Sequence, residues 1–184
     1  MSIFISFLEI GFSHILEGYD HLLFLTGLII VSKNFKQLLP VVTAFTIAHS
    51  TTLILSALEI ISLNSLLTET LIAASIVYVG AENIFKKNFN GRWSIAFGFG
   101  LIHGAGFSGH LTGLLKTVMG AGKVWSSLIG FNIGIELGQV AVILIAFPLL
   151  FLIGKKVAQE TLVTVFSSTI AAAGFVLIVV RLWF

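Results

Sequence analysis

Charge and cysteine are both scarce in this sequence. Charged residues make up 10% of the 184 residues and there is no cysteine, whereas a globular domain carries about 25% charged residues. Too few charges remain to cover a soluble surface, which excludes a cytosolic enzyme, a disordered tail and a nucleic-acid-binding protein. The lack of cysteine excludes a disulfide framework, a thiolate metal site and a cysteine nucleophile. With 57% hydrophobic residues and a mean hydropathy of +1.08, the composition indicates an integral membrane protein.

Six long apolar runs occupy most of the chain. A hydrocarbon core about 30 Å thick requires roughly 20 apolar residues per helix. The runs cover about residues 3–31, 38–60, 66–85, 93–115, 124–152 and 161–183. The breaks between them are short and hold most of the charge, so we predict one all-α domain over residues 1–184 with six transmembrane helices. We expect the first run to be retained as a helix rather than cleaved, since it lacks a basic n-region.

Lysine and arginine are distributed unevenly between the two sides of these spans. The loops after spans 1, 3 and 5 carry seven of them: Lys33, Lys36, Lys86, Lys87, Arg92, Lys155 and Lys156. The other side has Lys116, Lys123 and Arg181. Because cytoplasmic loops carry the excess of positive charge, both termini are predicted on the non-cytoplasmic side.

All five histidines of the chain fall inside predicted spans: His14, His21, His49, His103 and His110. Three carboxylates, Glu17, Asp20 and Glu136, also lie inside spans. An ionised side chain at the bilayer centre costs roughly 2.5–3.5 kcal/mol, so these groups must face the interior and be paired, protonated, hydrated or metal-bound. The economical interpretation is one polar centre shared by spans 1, 2, 4 and 5.

Several other polar residues in the spans are candidates for an outer layer of this centre or for an ion path. They are Glu17, Thr46, Ser50, Glu82, His110, Asn132 and Gln139. Structural roles compete with that interpretation: Asn132 and Gln139 suit hydrogen bonds between helices, and Glu82 suits an interfacial pair with Lys86. Glu9, Glu59 and Glu69 lie near span ends, where we expect them to be solvated, and the sixth span is expected to act as scaffold.

Imidazole and carboxylate groups without cysteine favour a divalent borderline or hard metal such as nickel, cobalt, zinc, manganese or iron(II), and not copper(I). His14 and His21 are seven residues apart, a rise of about 10.5 Å on one helix. At that spacing they are too distant to bind the same ion. Ligands stepped along a path are what an ion pathway requires, since each site must also release the ion.

Two segments of the chain share a pattern. His103 and His110 repeat the seven-residue spacing of His14 and His21. About 30 residues after each first histidine come Phe45-Thr46-Ile47-Ala48 and Phe131-Asn132-Ile133-Gly134. Because three spans per half force opposite orientations, this pattern predicts a 3+3 inverted repeat, the plan of many transporters.

These motifs resemble the HupE/UreJ family over about residues 9–140. The resemblance is carried by His14-x5-Asp20-His21, Phe45-Thr46-Ile47-Ala48-His49-Ser50, Ser75-Ile76-Val77-Tyr78, His103-Gly104-x-Gly106-Phe107 and Phe131-Asn132-x-Gly134-x-Glu136-x-Gly138-Gln139. It implies a bacterial inner-membrane nickel or cobalt permease. The metal-handling positions it implies are His14, Asp20, His21, His49, His103 and Glu136. Ile15 replaces the proline of hydrogenase-linked members, so the chain is closer to the second branch of the family.

An enzyme is the competing interpretation. Three His and Asp ligands could hold zinc for an intramembrane hydrolase, with water at a fourth position. A rhomboid-like serine in Gly106-Phe107-Ser108-Gly109 has no histidine on a later helix to act as its base, and bis-histidine haem binding would give a coloured protein. The expected partners are a metal ion and the lipid bilayer, without nucleic acid, and a homo-oligomer remains open.

Overall fold

The structure is a computed structural model that describes residues 2–32, 34–57, 60–86, 91–106, 113 and 123–183. The regular elements in these ranges are all helices, as predicted. They are α1 (Ile3–Glu17), α2 (Tyr19–Ile29), α3 (Phe35–Ala57), α4 (Ser65–Phe85), α5 (Arg92–Gly106), α6 (Val124–Gly154) and α7 (Gln159–Trp183). Helices α3, α4, α6 and α7 match four of the predicted spans to within three residues. Helix α5 begins where span 4 was expected, and most of the remainder of that span lies outside the described residues.

Four of the described helices are long and apolar enough to cross a membrane, namely α3, α4, α6 and α7. Helix α2 is apolar but shorter. Large hydrophobic side chains point outward from the bundle, for example Ile47 on α3 and Ile145 on α6, which are 57% and 65% exposed. An apolar outer surface of this kind suits a lipid environment and would be a liability in water.

The first predicted span is broken at Gly18. Helix α1 ends at Glu17, α2 begins at Tyr19, and Gly18 between them is extended with φ −78° and ψ 92°. A Cβ at position 18 would lie 2.7 Å from Cδ2 of His21 and 2.8 Å from the carbonyl oxygen of His14. These contacts leave room only for glycine at this position. Since the helix is interrupted here, the His21 ring can approach the end of α1. The first predicted span, about residues 3–31, is therefore two helices in the structure and not one.

Helix α1 packs along α6 through glycines of α6. A Cβ at Gly130 would lie 2.5 Å from the carbonyl oxygen of Phe4, and one at Gly134 would overlap the carbonyl oxygen of Leu8. The residue numbers at these contacts rise in the same direction along α1 and α6, so the two helices run parallel. Small residues spaced by four allow such close backbone approach in membrane helices.

Helix α3 packs along α5 in the same manner. A Cβ at Gly100 would lie 2.6 Å from the carbonyl oxygen of Phe45, and one at Gly104 would overlap the carbonyl oxygen of His49. These contacts also increase together, so α3 and α5 are parallel. The close approach brings His49 and His103, which neighbours Gly104, to the same level of the bundle.

The third close pair, α4 and α7, is antiparallel. A Cβ at Gly80 would lie 2.7 Å from the carbonyl oxygen of Ser167, and one at Gly174 would lie 2.9 Å from the amide nitrogen of Val77. Here the residue number at the contact on α7 decreases as the residue number on α4 increases. The register places the end of α7 beside the start of α4.

Candidate metal centre

Four histidines from four helices lie together inside the bundle: His14 on α1, His21 on α2, His49 on α3 and His103 on α5. Their ring centroids are separated by 4.6 Å for His14 and His21, 5.2 Å for His21 and His103, 5.7 Å for His14 and His49, and 5.8 Å for His21 and His49. His49 and His103 are almost fully buried, at 0% and 1% exposure. We call this group the histidine cluster.

The distance between His14 and His21 contradicts the helix-based expectation. Their Nε2 atoms are 3.0 Å apart, instead of two helical turns apart, because the chain breaks at Gly18 between them. Metal–nitrogen bonds of about 2.0–2.1 Å place the ligand nitrogens of one tetrahedral ion roughly 3.3 Å apart. The prediction that these two histidines cannot share an ion is therefore wrong.

Ser75 on α4 sets the proton position of the His103 ring. Its Oγ donates to the carbonyl oxygen of Ile72 at 2.6 Å and lies 3.1 Å from Nε2 of His103. A hydroxyl has one proton, so toward His103 the Ser75 oxygen accepts and Nε2 carries the hydrogen. The lone pair of His103 is then on Nδ1, the nitrogen available to a cation. Holding a ligand's tautomer through its other nitrogen is a recurrent feature of metal sites. Ser75 was noted in the sequence only as part of a motif.

Buried ring nitrogens without a hydrogen-bond partner distinguish this cluster. Among the described residues, nothing pairs with Nδ1 of His21, with Nδ1 of His103, or with either ring nitrogen of His49. A buried polar group left unsatisfied costs about 1–3 kcal/mol. Such a cost at several atoms of one cluster points to a ligand that these nitrogens would bind.

Phenylalanine rings enclose the histidine cluster on the side of α2 and α3. The ring centroids of Phe24 and Phe45 lie 5.1 and 5.2 Å from that of His103, and Phe45 stacks on His49 at 5.7 Å. Both phenylalanines are buried. They exclude water and lower the local dielectric constant, so a charge in this region interacts strongly with its neighbours.

The rings are close but do not converge on one point. Within the described ranges, no group of three or more His, Asp or Glu side chains is arranged as a ready-made metal site. The His14 and His21 rings meet at an interplanar angle of 68° and those of His21 and His103 at 85°. His110 lies outside the described residues.

The two carboxylates predicted as ligands have partners of their own. Oε1 of Glu136 on α6 accepts a hydrogen bond from Thr43 Oγ1 on α3 at 2.9 Å. Oδ2 of Asp20, at the start of α2, lies 2.5 Å from Nη2 of Arg181 on α7. Arg181 was missed in the sequence because the sixth span was expected to be scaffold.

Hydroxyl and amide side chains connect α3 to α6 beside the cluster. The Thr46 hydroxyl lies 2.9 Å from the side-chain oxygen of Gln139, and the Ser50 hydroxyl contacts that of Asn132; each hydroxyl also lies within hydrogen-bond distance of a carbonyl oxygen on α3. These four residues were candidates for an outer layer, and the structure places them in interhelical hydrogen bonds. Gln139 also lines a small internal cavity together with His21.

At the α4–α5 end of the bundle, Glu82 lies next to Arg92. Arg92 Nη2 is 3.8 Å from Glu82 Oε2 and donates to Asn83 Oδ1 at 2.5 Å. The Asn83 amide nitrogen donates to the carbonyl oxygen of Gly27 at 2.8 Å, which ties α2, α4 and α5 together. We call the contacts among Asn83, Arg92 and Gly27 the Asn83 clamp. The sequence suggested Lys86 as the partner of Glu82, whereas the ion pair in the structure is with Arg92.

An open cavity of about 580 Å³ leads along α1 to His14. Its lining residues are Ser6, Glu9, Ile10, Ser13, His14, Glu17 and Gly18. Glu9, expected to be solvated at a span end, therefore faces the same space as Glu17. The cavity gives His14 an approach from outside the bundle that carries two carboxylates, Glu9 and Glu17.

Apolar membrane-length helices around a buried histidine cluster define a polytopic membrane protein with a polar interior. The profile of the family described as HupE / UreJ protein matches residues 1–184, the whole chain. The protein therefore belongs to the HupE/UreJ family, which is associated with nickel and cobalt transport. No curated protein and no solved structure shows significant similarity to the chain.

Proposed function

We propose that this protein is a divalent transition-metal permease whose ion passes through the histidine cluster. The observation that carries the proposal is the set of buried, unpartnered ring nitrogens on His21, His49 and His103. Neutral imidazoles without cysteine suit nickel, cobalt or zinc. Family membership favours nickel or cobalt within that set. Asp20 and Glu136 are the carboxylates proposed to complete the ion's coordination as the rings rotate.

The proposed route begins at the cavity along α1. Glu9 and Glu17 line its walls and His14 lies among its lining residues, so the acidic cavity would concentrate cations at the first histidine. Because the lysine-rich loops are predicted in the cytoplasm, we propose that this opening faces the non-cytoplasmic side. We propose six crossings of a bacterial inner membrane, with α1 and α2 together forming the first and α5 beginning the fourth.

An inverted repeat is part of the proposal, and helix packing supports it. In such a repeat α1 corresponds to α5 and α6 to α3, so the parallel pair α1–α6 corresponds to the parallel pair α5–α3. A Cβ at Gly11 would overlap the carbonyl oxygen of Phe131, and one at Gly100 would meet that of Phe45. Phe131 and Phe45 are the first residues of the two repeated sequence segments. The antiparallel pair α4–α7 is what a two-fold relation between those helices requires.

The zinc hydrolase remains the second candidate, because His14 lies at an open cavity that water can enter, as a catalytic metal with an open position requires. The two functions differ in what happens to the ion. A permease moves the ion across the membrane, whereas a hydrolase retains it through turnover.

The test uses the full chain purified in detergent and then placed in sealed vesicles. Elemental analysis and titration with nickel, cobalt and zinc should give stoichiometric binding that is lost in His21→Ala and His103→Ala, and vesicles should accumulate the bound ion. Ser167→Ala, which changes a buried residue on α7, is the matched control. Metal that binds but does not cross would favour the hydrolase, and a wild-type protein that binds none of the three metals would overturn the proposal.

A further inference from the structure

Arg181, near the end of α7, contacts both α2 and α4 through its guanidinium group. Its Nη2 lies 2.5 Å from Oδ2 of Asp20, and its Nη1 donates to the carbonyl oxygen of Glu69 at 2.5 Å. The side chains of Arg181 and Asp20 are 11% and 19% exposed. The Glu69 carboxylate is farther from the guanidinium, at 3.9 Å, and is 46% exposed.

The paired carboxylate belongs to a residue that is adjacent in the chain to a member of the histidine cluster. Asp20 immediately precedes His21, whose ring contacts His14 and His103. The other oxygen of Asp20, Oδ1, is buried and has no hydrogen-bond partner among the described residues.

We propose that Arg181 is a built-in counter-cation that holds Asp20 while the carrier is empty and competes with the transported divalent ion for that carboxylate. The inference rests on the permease function proposed above. The ion approaches through the free Oδ1 and the ring nitrogens, and as it binds, the bond from Arg181 to Oδ2 weakens. When the ion leaves, Arg181 reoccupies the carboxylate.

This exchange solves a problem that every ion carrier with an acidic ligand meets. A buried carboxylate left without a partner is costly, so an empty site with an unpaired Asp20 would hold its ion too tightly to release it. Arg181 neutralises Asp20 in the empty state. Because coupling is reciprocal, the same guanidinium that lowers ion affinity is itself displaced by the ion.

The decisive measurement is nickel affinity, by calorimetric titration of the detergent-purified full chain, together with nickel uptake into vesicles. Arg181→Gln should bind nickel about ten-fold more tightly, within the range typical of coupled sites, and its maximal uptake rate should fall because release is slowed. Glu69→Gln is the matched control. It removes an exposed charge beside the same guanidinium and should leave both quantities unchanged, since exposed pairs contribute little.

A double variant separates competition for Asp20 from simple charge repulsion. In an Asp20→Asn background, Arg181→Gln should no longer tighten binding. Equal tightening with and without Asp20 would overturn the proposal, and so would unchanged or weaker nickel binding in a folded Arg181→Gln protein. If Arg181→Gln fails to fold, Arg181→Lys is measured instead. It should tighten nickel binding by a smaller factor, because lysine keeps the charge but lacks the planar guanidinium that contacts both Asp20 and Glu69. A wild-type protein that binds no metal overturns the permease function itself, whereas these outcomes in a metal-binding wild type overturn only the role of Arg181.

Discussion

The histidine cluster and the Asn83 clamp are both polar groups buried between helices, but they differ in how their atoms are satisfied. Asn83 uses its amide nitrogen on Gly27 and its oxygen on Arg92, at 2.8 and 2.5 Å. His49 is equally buried, and neither of its ring nitrogens has a partner among the described residues. The paired atoms of Asn83 hold helices together, whereas the two unpaired nitrogens of His49, on a ring that contacts the rings of His14 and His21, are left for a ligand that the folded chain does not itself supply.

The largest expected effect is at His49, where a substitution should abolish nickel binding without lowering the stability of the metal-free protein. His49→Leu should abolish nickel binding, since it removes a central ring of the cluster. The same change should leave the melting temperature of the metal-free protein unchanged or raise it, because an apolar side chain of similar size replaces two unsatisfied buried nitrogens. Thermal melting in detergent with and without nickel measures both effects. A metal-free variant that melts well below the wild type would mean that His49 is structural.

The Asn83 clamp should give the opposite result. Asn83→Ala removes the partner of the Gly27 carbonyl and of one Arg92 nitrogen, and each buried group left unsatisfied costs about 1–3 kcal/mol. We expect a clearly lower melting temperature with nickel affinity within about two-fold of wild type, since the clamp lies away from the histidine cluster. Nickel binding that is lost from a still-folded Asn83→Ala protein would contradict the division between the two regions.

Two buried serines sharpen the comparison further. Ser75→Ala removes the oxygen that fixes the His103 tautomer, and we expect nickel affinity to fall about ten-fold, as for partners of metal ligands elsewhere. Ser167→Ala, at an equally buried serine on α7 whose hydroxyl has no partner among the described residues, should leave affinity unchanged. If the two substitutions change nickel affinity equally, Ser75 does not support metal binding.

The positions of most helices, and the presence of His49 and His103 in the cluster, could be predicted from the sequence. An ionisable ring inside an apolar run has no solvated location to occupy, so its direction toward the interior follows from the cost of the alternative. The same reasoning found Asp20 but not its partner. Arg181 is 161 positions away, and the contact depends on the antiparallel packing of α7 on α4, which no local periodicity encodes.

The contact between His14 and His21 could not be predicted from spacing because the spacing rule assumes an unbroken helix. Gly18 was the only local signal of a break. Gly27 shows why that signal is weak, since it lies nine residues further along and remains inside α2. The difference between the two glycines comes from their neighbours: a Cβ at Gly18 would meet the His21 ring and the His14 backbone, while one at Gly27 would meet a side chain of Val79 on α4.

The pairing of α1 with α6 has a consequence for how the protein is made. Helix α6 begins at Val124, about a hundred residues after α1 ends, and at roughly 5–20 residues per second the ribosome needs about 5–20 s to synthesise that stretch. During that interval α1 is in the membrane with His14 and Glu17 but without the helix against which its backbone packs. All five histidines precede α6 in the chain, yet the cluster acquires a fixed His14 only after α6 is inserted. A chain cut short before Val124 would contain every imidazole and still lack the helix against which α1 packs, so under the proposed function incomplete copies of the protein would not open a route for metal ions.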